Sequence, residues 1–451
     1  MSANFRLLLI WTLLLSVVYG LTWPTHVLIA DEVAYFDDAL RWLGRASPCE
    51  SSTWSGYSPG TSLVAAGFIG LTGHPRAGFG VGLFAWFTGI WLTAWSLWRW
   101  RRPVHWALYL ALFLPGVVLS RVLMSDLLSW SLSAAFLCAY GGYGQQRQGA
   151  FIGGLCAGTA LLFRETNAVW AIPFLIGALW RPTYRASWLW AGFLAGLIGR
   201  MLWAKLCFDH FGYIRDPGIG FSLAYAPKNI ILYCLVLMVL CPGGLFFLRN
   251  KKVPFWPEII LAVVAVLGLY STYGYDALAK SGGIKGLVLQ GRYVLPLIPF
   301  LAFAGAFSKV AEEIPRWATV FALCFTGFLF VGVQLIGWFY NNQQNAMTQM
   351  LLQLPTDKHW SLSYDESRKY LNALHALTCL LPLRTDGMPD EAFYVHLFTR
   401  EDSADWRKKN AENSAVLEHI RSQRSLLLID ERISLDGTRL RIWRVGAVRR
   451  R

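Results

Sequence analysis

Long apolar stretches alternate with short polar ones up to about residue 340, and the chain is polar after that point. An apolar α-helix needs roughly 20 residues to cross the hydrocarbon core of a bilayer. The pattern therefore predicts about eleven membrane spans, of which the shorter ones are candidates for buried or broken helices. The predicted spans are 5–23, 77–99, 104–119, 122–140, 149–163, 167–180, 186–208, 229–248, 255–274, 293–308 and 318–339.

The first apolar run, 5–23, has the length of the apolar core of a signal peptide. Cleavage requires small residues at A-x-A spacing, and Leu28-Ile29-Ala30 before Asp31 matches that pattern poorly. We therefore expect a retained membrane span.

The composition supports a polytopic membrane protein. Apolar residues make up 55% of the 451 residues, and charged residues make up only 15%. Soluble domains carry roughly 25% charged residues, so a soluble enzyme of several domains is excluded. The apolar fraction excludes a disordered chain, and the absence of a glycine period excludes a collagen-like one.

The position of the basic residues predicts the orientation. The formal net charge is +14. If the N-terminus is cytoplasmic, nearly every short connection on that side carries Lys or Arg, as the positive-inside rule requires. These connections contain Arg6, Arg99, Arg101, Arg102, Arg147, Arg181, Arg185, Arg249, Lys251, Lys252, Lys309 and Arg316. The opposite face then holds the loops 24–76, 120–121, 164–166, 209–228 and 275–292 and everything after residue 340.

The polar tail predicts a small extracytoplasmic α/β domain, 341–451, which follows a mainly α membrane domain, 1–340. Helical spacing covers Asp365 to Leu381 and Ser403 to Arg421. Ala392 to Phe398 and Arg424 to Asp430 are predicted as strands, and Ile433 to Val445 as a hairpin that turns at Asp436-Gly437.

The eight cysteines include no C-x-x-C pair, so zinc and thiol-redox motifs find no support. Cys49 and Cys379 fall on the predicted outer side, where an oxidising compartment permits a disulfide. The sequence leaves open whether they pair.

Two carboxylates, Asp31 and Glu32, lie near the start of the first outer loop, and Tyr35 follows them in the order Asp31-Glu32-x-x-Tyr35. A carboxylate at the mouth of a cavity is suited to act as a general base. The alternative is that both acids complement the dipole at the N-terminus of an amphipathic helix. That helix would extend to Arg45 and lie along the interface, with Val33, Phe36, Leu40 and Leu43 on one face.

Further charges lie beside the predicted spans, where ionisable groups are costly and indicate a functional site. Arg121 and Asp126 flank the start of one span, and Arg164-Glu165 joins two others. These residues either line a cavity or form Arg–carboxylate pairs that orient helix ends.

The fifth outer loop is rich in glycine and cations. It contains Lys280, Gly282, Gly283, Lys285 and Gly286, followed by Gln290-Gly291-Arg292-Tyr293. Such a loop is suited to surround a phosphate with backbone N–H groups, while Arg292 makes a bidentate contact. No G-x-x-x-x-G-K-[ST] occurs there, so a nucleotide P-loop is not indicated. The alternative is a basic anchor at the start of a helix.

These features share one predicted face of the membrane. A carboxylate, a cation cluster suited to phosphate and an extracytoplasmic domain together indicate chemistry between a phosphorylated lipid and an acceptor on that face. Because the loop is predicted to lie close to the bilayer surface, it suits a phosphate on a lipid better than a soluble nucleotide.

The sequence resembles the GT-C superfamily of integral-membrane glycosyltransferases, in the branch of protein O-mannosyltransferases and the lipid A aminoarabinose transferase. The resemblance rests on Asp31-Glu32-x-x-Tyr35, Tyr57-Ser58-Pro59-Gly60, Phe163-Arg164-Glu165-Thr166 and Gly291-Arg292-Tyr293-Val294-Leu295-Pro296. The resemblance in the order of these motifs and in topology covers roughly residues 5–340.

The resemblance implies an inverting transfer of a sugar from a polyprenyl-phosphate donor to an acceptor hydroxyl of a lipid, glycan or protein. Asp31 would be the general base, with Glu32 sharing that role or positioning the acceptor. Arg292 and Tyr293, with Lys280 or Lys285, would hold the departing phosphate. The predicted cavity-lining residues are Tyr35, Tyr57, Arg121, Asp126, Arg164 and Glu165.

No cofactor is expected. Some superfamily members need a divalent metal, for which Asp31, Glu32 and Asp126 would supply oxygens. The tail differs from the sugar-binding trefoil of eukaryotic protein O-mannosyltransferases, and its role stays open.

Three other functions remain as alternatives: a transporter or flippase of lipid-linked sugars, a polymerase or ligase of cell-surface glycans, and a non-catalytic cell-envelope assembly factor. A flippase would place polar groups at several depths and show repeat symmetry between its halves. The compartment that fits the predicted topology is a bacterial inner membrane with the tail in the periplasm, and an endoplasmic-reticulum membrane with a lumenal tail satisfies the same pattern.

Overall fold

The computed structural model describes residues 3–25, 30–45, 54–181, 183–209, 211, 220–241, 243–278, 283–308, 316–352, 359–362, 392–398, 411, 414–415, 417–418, 420–422, 424–433 and 439–448. The chain forms two compact units. The first comprises Met1–Leu21 and Thr53–Gln334, and the second comprises Thr22–Ser52 and Leu335–Arg451. The predicted functional domains 1–340 and 341–451 stay a prediction.

The first unit is a helical bundle, as the apolar runs predict. Its helices are α1 (Ala3–Leu21), α3 (Gly60–Thr72), α4 (Gly80–Arg99), α5 (Leu108–Ala111), α6 (Leu114–Leu119), α7 (Ser125–Phe136), α8 (Arg147–Thr159), α9 (Ala168–Leu179), α10 (Ala186–Phe208), α11 (Ala226–Leu240), α12 (Gly244–Phe247), α13 (Trp256–Ser271), α14 (Gly283–Gly291) and α15 (Ile298–Gly305). Helix α16 (Arg316–Leu352) begins in this unit, and α2 (Ala30–Trp42) belongs to the second.

The bundle is that of a polytopic membrane protein. Within the described residues, five helical stretches are long and apolar enough to cross a membrane, namely Pro75–Arg99, Ala186–Phe208, Leu223–Leu240, Gly283–Ala306 and Trp317–Asn342. Shorter apolar helices cover Phe5–Leu21, Gly60–Thr72, Glu165–Leu179 and Trp256–Ser271. The predicted number of about eleven spans is not confirmed by these helices.

Several predicted spans are broken in the structure. The run 104–119 consists of a 3-10 turn (Val104–Ala107) and the short helices α5 and α6, and Pro115 lies in the first turn of α6. The run 229–248 is split between α11 and α12, with Pro242 in the sequence between them. Proline has no N–H to donate and is sterically excluded from a helix interior, so each break coincides with the residue that best explains it.

Helices α8 and α10 approach closely because small residues face each other. Gly154 and Gly158 of α8 pack against the backbone of Leu189 and Phe193, while Gly192 and Gly196 of α10 pack against α8. A Cβ atom at any of these four glycines would overlap backbone atoms of the opposite helix. This reciprocal pair of G-x-x-x-G patterns is the arrangement that lets membrane helices pack at short distance.

The second unit contains helix α2 and a four-stranded sheet. The strands are β1 (His359–Leu362), β2 (Ala392–Phe398), β3 (Arg424–Ile433) and β4 (Arg439–Val448), in the order β1-β2-β4-β3. β1 is parallel to β2, and the other pairs are antiparallel. Leu417 and Ile420, from the helical residues before β3, pack on Trp443 and Val445 of the sheet.

Most of the described tail agrees with its predicted elements. Ala392–Phe398 is a strand as predicted, and the predicted strand at 424–430 continues to Ile433, which pairs with Arg439. The predicted helix 365–381 lies outside the described residues, as do Cys49, Cys379 and the predicted turn residues Asp436-Gly437. Strand β1 was not predicted from the sequence.

Candidate functional site

The side chain of Tyr293 is the centre of a cluster of aromatic rings and guanidinium groups. The rings of Tyr270, Tyr273 and Tyr275 surround it, with centroid distances of 4.8, 5.7 and 5.8 Å. The guanidinium groups of Arg164 and Arg292 lie 5.0 and 4.9 Å from the centroid of the Tyr293 ring. We call these six residues the arginine–tyrosine cluster. Cation–π contacts of this kind favour the charged form of arginine in a desolvated environment.

Arg292 is positioned by the helix that precedes it. It follows α14 and begins the 3-10 turn Arg292–Leu297, which continues into α15. At Gly291 a Cβ atom would lie 2.7 Å from the ring of Pro115 on α6, so only glycine permits this approach. One guanidinium nitrogen of Arg292 donates a hydrogen bond of 2.8 Å to the Tyr293 hydroxyl, and its carbon lies 5.4 Å from the Tyr275 ring centroid.

Arg164 is held on the other side of the cluster by an ion pair. Its Nη1 atom lies 2.6 Å from Oδ1 of Asp126, whose side chain is fully buried in the first turn of α7. The second oxygen, Oδ2, is buried and has no hydrogen-bond partner among the described residues. A buried carboxylate with an unsatisfied oxygen is costly, so this pair indicates a site whose polar groups are completed by a ligand or water.

The short segment 164–167 distributes its side chains to three different helices. Glu165 Oε1 accepts from Arg200 of α10 at 2.7 Å and from the hydroxyl of Ser58 at 2.6 Å. The hydroxyl of Thr166 lies 2.7 Å from that of Tyr270 on α13. Asn167 Nδ2 donates to Ser129 of α7 at 2.9 Å. The segment therefore fixes Arg164 relative to the surrounding helices.

These contacts bear on one of the two interpretations of these charges, in which Arg–carboxylate pairs orient helix ends. Pairs between near neighbours would join Arg121 with Asp126 and Arg164 with Glu165. In the structure, Arg164 pairs with Asp126 and Glu165 pairs with Arg200. Arg121 is fully buried and donates a hydrogen bond of 2.6 Å to Gln334 of α16. Charges distant in sequence are paired because helix packing, and not chain proximity, brings them together.

Arg292 differs from the other cations near the cluster. Arg164, Arg200 and Lys228 each pair with a carboxylate, of Asp126, Glu165 and Asp276 respectively. Within the described part of the chain, no carboxylate lies within 4.0 Å of Arg292. Its Nε atom is buried and has no hydrogen-bond partner. A partly buried guanidinium with no carboxylate in that range is unfavourable, so this position is suited to bind an anion.

The predicted glycine-rich phosphate loop is a helix over most of its length. Residues Gly283–Gly291 form α14, so their backbone N–H groups bond mainly within the helix and do not surround a ligand. Gly286 instead allows close contact with the backbone of Leu278. Lys285 is exposed on α14, and Lys280 lies outside the described residues.

The two predicted catalytic carboxylates lie in the first turn of α2. The side chain of Asp31 is outside the description, and Glu32 is fully buried. Tyr35 through Leu40 are all buried. Because six consecutive residues cover more than one turn, this part of α2 is buried on every side, which differs from the one-sided surface helix that the pattern predicted. The predicted cavity shared by Asp31 and Arg292 stays a prediction.

Sequence reasoning missed several members of the site. Arg200 lies inside an apolar span, and a lone arginine in such a span indicates a functional site. Tyr270, Tyr273 and Tyr275 follow each other at the end of α13, and their aromatic spacing was the available signal. Tyr57 is half-buried, and its neighbour Ser58 donates a hydrogen bond to Glu165.

Within the described residues, no group of three His, Cys, Asp or Glu side chains is arranged to hold a metal ion. The cysteines at 138, 156, 234, 241 and 324 are thiols that take part in no disulfide.

Comparison with known proteins identifies the fold. No family model matches the sequence, and no curated protein matches it. Two crystal structures of ArnT from Cupriavidus metallidurans are similar, one in the apo state and one bound to undecaprenyl phosphate. Their TM-scores are 0.61 and 0.60, and each comparison covers 98% of both chains at 12% sequence identity.

The similarity extends over the whole chain and is one of fold. The protein therefore has an ArnT-like polytopic membrane fold, as the predicted fold class requires.

Proposed function

We propose that the protein is a GT-C glycosyltransferase that transfers a sugar from a polyprenyl-phosphate donor to an acceptor hydroxyl. The observation that carries the proposal is the arginine–tyrosine cluster, in which Arg292 has no carboxylate partner among the described residues. The shared fold with an ArnT structure bound to undecaprenyl phosphate supports a lipid phosphate as the missing anion.

In this proposal the phosphate of the donor lies against Arg292, and Arg164 is a second cation within reach. The acceptor oxygen attacks the anomeric carbon of the sugar from the face opposite the phosphate. The bond between that carbon and the phosphate oxygen breaks, and polyprenyl phosphate leaves with the bonding electrons. The positive charge of Arg292 offsets the charge that develops on the leaving oxygen.

The proton released from the acceptor hydroxyl is assigned to Asp31, which acts as the general base, while Glu32 positions the acceptor. Inversion at the anomeric carbon follows from a single displacement. The proposed location is a bacterial inner membrane, with the chemistry and the tail on the periplasmic face.

The test is an assay of the purified protein with a panel of polyprenyl-phosphate sugars, in which released polyprenyl phosphate is measured. We expect release with at least one donor when an acceptor extract is present. Transport of the lipid-linked sugar across vesicles without release would instead favour the flippase.

A variant connects the activity to the cluster. We expect Arg292→Gln to weaken binding of undecaprenyl phosphate by at least about tenfold, because a charge-assisted contact to phosphate is lost. Arg249→Gln is the matched control, since Arg249 is exposed after α12, on the side predicted to be cytoplasmic. Equal weakening by both variants would show that the binding is a general surface effect.

A further inference from the structure

Two tyrosines of the arginine–tyrosine cluster, Tyr273 and Tyr275, lie in the short non-helical segment 272–276 that follows α13. One edge of this segment pairs with the backbone of residues 220–222. Ser222 N–H donates to the carbonyl of Thr272 at 2.7 Å, and Gly274 N–H donates to the carbonyl of Gly220 at 3.1 Å. Phe221 and Tyr273 form the corresponding antiparallel bridge.

The opposite edge of the segment is bonded by two side-chain amides instead of a strand. Asn229 of α11 donates through Nδ2 to the carbonyls of Ser271 at 3.1 Å and Tyr273 at 2.7 Å. Asn229 is only 3% exposed, so these bonds are shielded from water.

Gln290 of α14 continues this edge. Its Nε2 donates to the carbonyl of Tyr275 at 3.3 Å and to the hydroxyl of Tyr233 at 2.8 Å, and its Oε1 accepts from Ala277 N–H at 2.9 Å. Gln290 is fully buried. The bonded backbone groups belong to Tyr273 and Tyr275 within the segment and to Ser271 and Ala277, the helical residues on either side of it.

The register fixed in this way determines where the tyrosine rings lie. Tyr273 and Tyr275 are two residues apart and therefore share a face of this segment. Their rings are stacked at 6.3 Å, and both make edge contacts with Tyr293. The Tyr275 ring also faces the guanidinium of Arg292.

We propose that Asn229 and Gln290 are positioning residues of the phosphate-binding site. Together they bond the backbone at residues 271, 273, 275 and 277, and so hold Tyr273 and Tyr275 against Tyr293 and Arg292. This inference rests on the proposed function, because it assigns to the two amides the geometry of the site that binds the lipid phosphate.

The test compares neutral variants of similar size, Asn229→Leu and Gln290→Met, with Asn250→Leu. Asn250 is a matched control because it also uses its amide to hold a turn, donating to the Phe307 carbonyl and accepting from Lys252 N–H. We expect the first two variants to raise the Kd for undecaprenyl phosphate by about tenfold, and the control to leave it unchanged. Melting temperatures of the three variants should fall by similar amounts, which separates positioning from general stability.

A double-mutant cycle makes the test specific. If Gln290 acts through Tyr275, then Tyr275→Leu and Gln290→Met should be clearly non-additive in their effect on Kd, whereas Tyr275→Leu and Asn250→Leu should be additive. Hydrogen exchange at Ala277 N–H should also accelerate in Gln290→Met, with or without lipid.

The outcomes distinguish this inference from the proposed function. If the wild-type protein binds undecaprenyl phosphate and both amide variants bind it equally well, the inference is overturned and the proposed function stands. If the wild-type protein does not bind it, the proposed function is overturned, and the positioning role of Asn229 and Gln290 is overturned with it.

Discussion

At the scale of single residues, we expect substitution of the two acids at the start of α2 to have different effects on turnover. Asp31→Asn should lower turnover by about a thousandfold, because an amide cannot take the acceptor proton. Glu32→Gln should lower it less and mainly raise the KM for the acceptor. The measurement is release of polyprenyl phosphate at saturating donor.

Lipid binding is the control for this pair of variants. Both should bind undecaprenyl phosphate as the wild-type protein does, since the phosphate is assigned to Arg292 and not to α2. Undiminished turnover in Asp31→Asn would favour the interpretation of Asp31 as a helix cap.

Single residues of the candidate site could be predicted from the sequence, but their contacts could not. Arg292 and Tyr293 were found because a cation beside an apolar run is unusual. Asp126 and Arg164 were singled out for the same reason, but the local pattern did not predict that they pair with each other, since the Arg164–Asp126 contact joins residues 38 positions apart. A partner at that distance in sequence is determined by helix packing, which the local pattern does not encode.

At the scale of helices, the contact between α8 and α10 gives a test of the packing. Gly196→Ala should destabilise the protein by about 3 kcal/mol, because the added methyl group overlaps the α8 backbone and forces the helices apart. The measurement is the midpoint of thermal unfolding in detergent.

Gly199 on the same helix is the matched control. A Cβ atom there meets nothing within 4 Å, so Gly199→Ala should be neutral or slightly stabilising. Similar losses of stability in both variants would mean that the cost arises from helix α10 itself and not from its contact with α8.

Long apolar runs predicted their helices well. Short helices that depend on tertiary contacts were predicted poorly. The predicted span 186–208 is identical to α10, whereas α3 was missed inside a predicted loop. Helix α3 has only 13 residues and includes three glycines, so its local propensity is weak. Its N-terminus is instead fixed by Gly60, which lies directly against Phe163.

At the scale of the whole molecule, the predicted topology assigns the tail and the α12–α13 connection to opposite faces. A cysteine at Leu427, which is 63% exposed on β3, should react with a membrane-impermeant maleimide in intact cells. A cysteine at Arg249 should react only after the membrane is opened, and the wild-type protein provides the background. Labelling in the reverse order would put the proposed chemistry in the cytoplasm.

The charges around Tyr293 predict which lipid carriers this site prefers. Among the described residues of the cluster, Arg164 pairs with Asp126, and Arg292 is a cation with no carboxylate within 4.0 Å. A sugar linked through a phosphodiester brings a single negative charge, which the charge of Arg292 balances. A diphosphate linkage brings more negative charge than Arg292 alone can balance. We therefore expect discrimination between monophosphate and diphosphate carriers to arise from charge balance before any sugar is recognised.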